Sequence, residues 1–304
     1  MKPAPFEYIR PQSLAEACEL LAGDEDARAI AGGQTLVPML AMRLARPTKL
    51  IDIMRLPELA GIRPESDALV IGATTRQAIA DQDPLVHAQV PALARVLPWV
   101  GHPPTRNRGT VGGSIANADP SAEIPLVAVT LGAEIMLATP DGTSSMPADD
   151  FFIGPMLTVI APGECVSAVK FPVWQHERIG VGFFEVSARK SDFAFASALA
   201  QVALDEGGRC IDIVLGVGGV GDRALRLDVS SLLGTRLDAA SVADILGMDD
   251  LVAEAVHAVA GDMDASSDLH ASASYRRRVA ITLARRAIEQ ARTEAGARAL
   301  KGAA

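Results

Sequence analysis

Two segments with paired glycines hold the residues most suited to binding chemistry. The first is Ala31-Gly32-Gly33-Gln34-Thr35-Leu36, directly after a short apolar run; the second is Thr110-Val111-Gly112-Gly113-Ser114. Paired glycines let a main chain approach a ligand with no Cβ in the way, and they tolerate positive φ. Successive N–H groups in such a turn form an anion nest suited to a pyrophosphate, to which the Thr35 hydroxyl adds a donor. Neither segment is a GxGxxG fingerprint, and no GK[ST] of a Walker loop occurs. Singly, each reads equally well as a tight structural turn. Together, two loops flanked by hydroxyl residues can converge on one long ligand, and a dinucleotide fits that better than a mononucleotide. Arg106 and Arg108 precede the second loop and read first as braces on its carbonyls, with direct phosphate contact the alternative. Asp119 and Glu123 follow it. Either carboxylate can accept hydrogen bonds from sugar hydroxyls; the plain alternative is a solvated or helix-N-terminal carboxylate.

Other chemistries are disfavoured by composition. A formal charge of −9 argues against a general nucleic-acid binder, whose affinity rests on neutralising phosphates. Cys18, Cys165 and Cys210 form no CxxC pair, and His87, His102, His176, His257 and His270 form no HExxH. Metal chemistry, if there is any, therefore belongs to a partner. No apolar run approaches the ~20 residues of a membrane span, and Met1 to Glu7 lacks the apolar core of a signal peptide. A soluble, cytoplasmic protein is expected.

The elements that must position these loops follow from periodicity. Ser13 and Glu16 form a capping-box pair ahead of Leu14, Ala17, Cys18 and Leu21, which predicts a helix up to Gly23. Ala27–Ala31 and Lys49–Ile53 read as strands, with a Leu/Met-rich helical turn between them stopped by Pro47, so the start is a β-α-β unit. Leu59–Ile62 and Leu69–Gly72 read as strands, Thr75–Asp83 and Pro91–Val100 as helical. Gly101–Pro125 shows no period and reads as one long irregular loop, functional because ordered strands (Ala133–Ala138, Glu164–Phe171) follow it. Beyond Pro172–Glu177, three antiparallel strands are expected at Gly180–Arg189, Ala196–Asp205 and Cys210–Val217. Helices at Ala239–Ala260 and Ser272–Ala295 follow. In the second of these, Tyr275, Val279, Leu283 and Ile288 share a side, and Arg276, Arg277, Arg285 and Arg286 read as a solvated flank rather than an acidic-partner site.

The two glycine loops, with Arg106-Asn107-Arg108-Gly109, Ala118-Asp119-Pro120-Ser121-Ala122-Glu123, Pro162-Gly163-Glu164 and Ala188-Arg189-Lys190-Ser191-Asp192-Phe193-Ala194, resemble the medium, FAD-binding subunit of the molybdenum hydroxylases. These are the xanthine dehydrogenase and carbon monoxide dehydrogenase relatives, and the resemblance covers nearly the whole chain. It implies an α+β fold of the p-cresol methylhydroxylase (PCMH) flavin-binding type. A flavin domain would span residues 1–176, with subdomains of about 1–55 and 56–176. A C-terminal antiparallel sheet with helices would occupy 177–304. It further implies that Ala29, Ile30, Ala31, Gly32, Gly33, Gln34, Thr35 and Leu36 wrap the FAD pyrophosphate. Thr110, Val111, Gly112, Gly113 and Ser114 would form the second flavin loop, and Glu123, with Asp119, would hold sugar or ribityl hydroxyls. Val100 and Val166 match positions lining the flavin ring or adenine, with core packing the alternative. Lys190 matches a cofactor position or is a surface cation. No residue is assigned a catalytic role, and no metal ligand is expected here. Cys165 departs from the aliphatic residue common at its position. The cysteine-bearing loop of the 4-hydroxybenzoyl-CoA reductase relatives is missing, so no cluster is expected in this chain.

The implied function is electron transfer. A large molybdenum-cofactor subunit would hydroxylate substrate, and [2Fe–2S] clusters of a small subunit would pass electrons to this FAD and on to an external acceptor. The implied assembly is a dimer of heterotrimers. A self-sufficient FAD oxidoreductase of the same fold is the alternative, which needs a substrate pocket and proton donor over the flavin. A cofactor-free scaffold subunit is a third, and it requires both glycine loops to be mere turns. Flavin reduced only with partners present separates the first from the second, and no flavin at all indicates the third.

Overall fold

The computed structural model describes residues 2–238, 242 and 267–302. Its first layer is a parallel sheet of β1 (Glu7–Ile9), β2 (Arg28–Ile30) and β3 (Lys49–Asp52), in the order β1-β3-β2. Helix α1 (Leu14–Ala22) joins the first two strands and buries Ala17, Cys18 and Leu21. The Ser13 hydroxyl accepts from the Glu16 amide as expected, while the Glu16 carboxylate reaches past Ser13 to the Gln12 amide. Helix α2 (Leu36–Met42) ends at Arg43, which adopts a left-handed φ of 60°. The helix thus stops before Pro47 can act on it.

The second layer is an antiparallel sheet ordered β4-β5-β10-β6-β7. Its strands are β4 (Ile62–Pro64), β5 (Ala68–Gly72), β6 (Glu134–Thr139), β7 (Gly142–Pro147) and β10 (Cys165–Pro172), while β8 (Phe152–Gly154) and β9 (Leu157–Thr158) pair separately. The strand expected over Leu59–Ile62 begins only at Ile62. Pro57, with its fixed φ and no N–H, starts a 3₁₀ turn over Pro57–Leu59 instead. Helices α3 (Gln77–Gln82), α4 (Pro84–Gln89) and α5 (Pro91–Val96) pack beside the sheet, the last two restarted by prolines at their first positions.

The largest correction concerns Gly101–Pro125. It is not an irregular loop but a run of helical turns: α6 (Pro103–Arg108), α7 (Val111–Asn117) and the start of α8 (Glu123–Leu131). The first two are too short for a 3.6-residue period to emerge. Helix α8 is buried on all sides from Ile124 to Leu131, so no amphipathic stripe marks it. A short helix, α9 (Ala148–Phe151), follows β7.

The third layer is an antiparallel meander of β11 (Ile179–Ser187), β12 (Ala194–Leu204), β13 (Cys210–Gly218) and β14 (Leu225–Leu227). Helix α10 (Ala273–Gly302) covers one face and α8 the other. A Cβ on Gly182 would lie 2.7 Å from the Ala287 carbonyl carbon, and one on Gly180 3.0 Å from that of Ala291. These two glycines therefore let α10 rest directly on the strand. Alternation sends Ala196, Ala198, Ala200 and Val202 into the core beneath α10, and Leu199 into the core shared with α8. Tyr275 is exposed while Leu283 and Ile288 are buried, so the expected four-residue side is not shared. The helix expected over Ala239–Ala260 lies outside the described residues. No helix among the described residues is long and apolar enough to cross a membrane.

Candidate functional site

A cleft of about 1110 Å³ opens where the three layers meet. Its walls are the end of β2 with the loop behind it, the start of α7, the approach to β10 and the turn between β11 and β12. Ala29, Ile30, Ala31, Gly32, Gly33, Gln34, Thr35, Leu36, Val100, Thr110, Gly112, Gly113, Ser114, Asp119, Glu123 and Val166 all line it. Val111 and Lys190 do not. Val111 is wholly buried, and Lys190 is exposed.

The first glycine loop is open for binding. Gly33 takes a φ of +70°, and its carbonyl accepts the Val37 amide at 3.0 Å, which turns the chain from β2 into α2. The Gln34 side chain folds back onto the Gly32 carbonyl at 3.1 Å. Among the described residues, the amides of Gly32, Gly33, Gln34, Thr35 and Leu36 donate to no protein group. Five consecutive unengaged N–H groups around a tight turn are the arrangement an anion nest requires.

The second glycine segment is a helix start rather than a nest. Its amides are already engaged: Val111 with the Thr75 carbonyl at 3.0 Å, Gly112 with that of Ala73 at 2.9 Å, and Gly113 with the Thr110 hydroxyl at 3.0 Å. Ser114 completes the turn onto the Thr110 carbonyl at 3.1 Å. Thr110 is thus an N-cap. What the segment offers the cleft is a thin wall of Gly112, Gly113 and Ser114. The arginine before it braces, as expected: Arg106 Nη1 donates to the carbonyls of Gly101 at 2.9 Å and Val100 at 3.2 Å. Its Nε lies 3.7 Å from Asp81. Arg108 contributes its backbone, whose carbonyl accepts from the Arg76 guanidinium.

Two carboxyls, Asp119 and Glu123, line the inner wall, and a third, Glu185, lies behind them. Asp119 caps the turn by accepting the Ser121 amide at 2.9 Å, and burial raises its pKa. Glu123 opens α8, where loss of solvation pushes its carboxyl up to about 7; the Asp119 charge adds to this against its own backbone N–H. Glu185, on β11, is pushed up to about 8 by burial and then by the Glu123 charge. Both Glu185 carboxyl oxygens and the hydroxyl of Ser197, its cross-strand neighbour, are buried with no hydrogen-bond partner. Sequence reading missed Glu185. The available signal was a glutamate in register with the inward-facing Val181 and Phe183.

The far end of the cleft was also missed. There Arg276, 6% exposed, donates from Nη1 to the carbonyls of Phe195 at 2.7 Å and Gly219 at 3.1 Å, and from Nη2 to Asp268 at 2.8 Å. Its guanidinium sits 5.7 Å over the Phe195 ring, against which His270 stacks. The solvated flank expected for this helix holds for Arg285 and Arg286 but not for Arg276. Phe193, 70% exposed, stands at the cleft edge.

Residues 4–174 match the family model of the FAD binding domain in molybdopterin dehydrogenase, and residues 182–291 that of the CO dehydrogenase flavoprotein C-terminal domain. The chain belongs to the FAD-binding medium subunits of the molybdenum-containing dehydrogenases. Among its relatives in this family is the 6-hydroxypseudooxynicotine dehydrogenase complex subunit alpha of Paenarthrobacter nicotinovorans, 36% identical with 96% of each chain covered. Another is the carbon monoxide dehydrogenase medium chain of Afipia carboxidovorans, 35% identical over 97% of this chain and 99% of that one. The fold of this flavoprotein subunit superposes on a chain of the Cu,Mo-CO dehydrogenase crystal structure with a TM-score of 0.89, at 33% identity, covering 97% of this chain and 100% of that one. A chain of quinoline 2-oxidoreductase from Pseudomonas putida 86 gives 0.87 at 35% identity, covering 97% and 99%.

Proposed function

We propose that this oxidoreductase subunit holds FAD in the cleft and passes electrons from [2Fe–2S] clusters of a small partner subunit to an external acceptor. A large partner subunit with the molybdenum cofactor would carry out the hydroxylation, in a cytoplasmic dimer of heterotrimers. The observation that carries the reading is the run of five unengaged amides from Gly32 to Leu36 at the cleft wall. The division into a flavin-binding domain over residues 1–176 and a second domain over 177–304 belongs to the same proposal.

Each residue's task follows from its place. The amides of Gly32 to Leu36, with the Thr35 hydroxyl, hold a pyrophosphate, while Ala29, Ile30 and Ala31 lead the strand to it. Gly112, Gly113 and Ser114 let the ligand pass close to the backbone, with Thr110 fixing that helix start. Val111 supports it from the core. Glu123 and Asp119 orient sugar hydroxyls by accepting hydrogen bonds from them. Val100 and Val166 give apolar contact and exclude water from the ring systems. Lys190, exposed beyond the wall, reaches the ligand only if its loop folds inward. Bound FAD supplies a carrier that accepts electrons singly and releases them in pairs, and the protein sets its orientation and surroundings.

Titration of the purified chain with FAD, followed by flavin fluorescence and the visible spectrum, tests the reading beside Gly33→Val. Saturable binding that the variant loses is expected. A folded wild type that takes up no FAD, with or without partner subunits, refutes it.

A further inference from the structure

Two of the three cysteines, far apart in sequence, meet in the fold. Cys18 lies on α1 and Cys165 opens β10, and both are buried in one apolar core with Leu21, Ala27 and Ile51. The end of α1 packs on the approach to β10, where a Cβ on Gly163 would lie 2.9 Å from the Ala22 Cβ, and Cys165 pairs across the sheet with Ala138 of the same core; both thiols are free. Cys165 is also a wall residue of the cleft, whereas Cys210 is buried in a separate core beneath α10.

We propose that Cys18 and Cys165 form an oxidisable dithiol, a site at which a hydroperoxide converts the pair to a disulfide that staples α1 to β10. The geometry supplies what thiol oxidation to a disulfide requires: a second thiol in the same small core as the first, and an opening at the cleft that a molecule as small as hydrogen peroxide can enter. One thiol sulfur takes an oxygen from hydrogen peroxide; the O–O bond breaks, and the other oxygen leaves as water carrying the thiol proton. The second thiol displaces the sulfenic oxygen as a further water, and the S–S bond forms. Overall, two thiols and one hydrogen peroxide give one disulfide and two waters. The shared core favours this pairing over further oxidation, because the resolving thiol is close by. Thiolate character is unequal in the pair. Cys18 is lowered by its interaction with the Cys165 thiol, while Cys165 is raised by that interaction and by burial.

The test uses the full chain treated with hydrogen peroxide, then denatured and alkylated, with free thiols counted and a non-reduced digest read by mass spectrometry. Two of the three thiols should disappear, a Cys18 peptide should appear joined to a Cys165 peptide with loss of two hydrogens, and dithiothreitol should restore all three. Cys210→Ser should cross-link as the wild type does, and Cys18→Ser should abolish the joined peptide. Retention of three thiols, or sulfinic acid at Cys165 without the joined peptide, overturns the proposal. So does a cross-link that survives in Cys18→Ser.

Discussion

Gly32 and Arg108 stand back to back: a Cβ on Gly32 would fall onto the Arg108 carbonyl oxygen and 2.8 Å from the Gly109 Cα. The same carbonyl receives the Arg76 guanidinium. The open nest and the closed helix start are therefore held in one position relative to each other by backbone contact, with Gly32 as the only residue type that fits. Gly32→Ala should push the loops apart, destabilising the chain by about 1–3 kcal/mol, as overpacking does. FAD affinity should fall by more than that loss of stability explains. Thermal melts with FAD titrations of the same samples check both. An alanine variant with wild-type affinity would separate the contact from the site.

Gly33 fails for a different reason. Its φ of +70° disfavours any side chain, by about 1–2 kcal/mol per residue. Gly33→Asn, which tolerates that region, should keep more FAD affinity than Gly33→Val. The order of the two dissociation constants is the measurement, and the reverse order would show that bulk rather than backbone conformation matters.

Much of this was legible in the sequence, and the failures have specific causes. The Ser13 cap, β2, β3 and the three long strands of the last sheet follow from caps and alternation that do not depend on distant contacts. The glycine pairs marked both cleft walls. What sequence could not distinguish was which pair was open, because the amides of Val111 and Gly112 are engaged by Thr75 and Ala73, carbonyls from a distant part of the chain. Gly101–Pro125 misled because helices this short carry no period. Arg276 and Glu185 were missed because burial of a charge is decided by tertiary contacts: carbonyls of Phe195 and Gly219 for one, the approach of α8 for the other.

The seating of α10 on β11 makes a prediction away from the cleft. Gly182→Val would drive a side chain into the Ala287 backbone, where a Cβ alone lies 2.8 Å from its Cα. A backbone cannot rotate out of the way as a side chain can, so the helix must lift. The loss should be about 3 kcal/mol, at the upper end for overpacking. Urea unfolding should report it, with FAD affinity per folded molecule little changed.

The carboxyl pair sets a pH dependence whose sign can be worked out. Glu123 is held up to about 7 and Glu185 up to about 8, against an ordinary value of 4.5. Between these limits the folded chain binds more protons than the unfolded one, so stability falls as pH rises through the window and the contribution is gone above pH 8. Glu185→Gln removes one ionisation without leaving a charge unpaired. Its melting temperature should match the wild type near pH 5 and exceed it at pH 9, by an amount corresponding to about 1–3 kcal/mol, since each pH unit by which burial raises a carboxyl costs about 1.4 kcal/mol once it is ionised and partial exposure screens part of that. Glu123 faces the cleft, so its ionisation also bears on ligand: a carboxylate accepts two sugar hydroxyls where a neutral acid donates once. FAD affinity of the wild type should therefore weaken as pH drops below about 7. In Glu185→Gln that transition should stay where it is, since Glu185 is still neutral while Glu123 ionises, and the charge that raises Glu123 is that of Asp119. Melting curves and FAD titrations at matched pH values separate the two effects. A midpoint that moves in Glu185→Gln would mean that Glu185 ionises before Glu123, the reverse of the order that their burial sets.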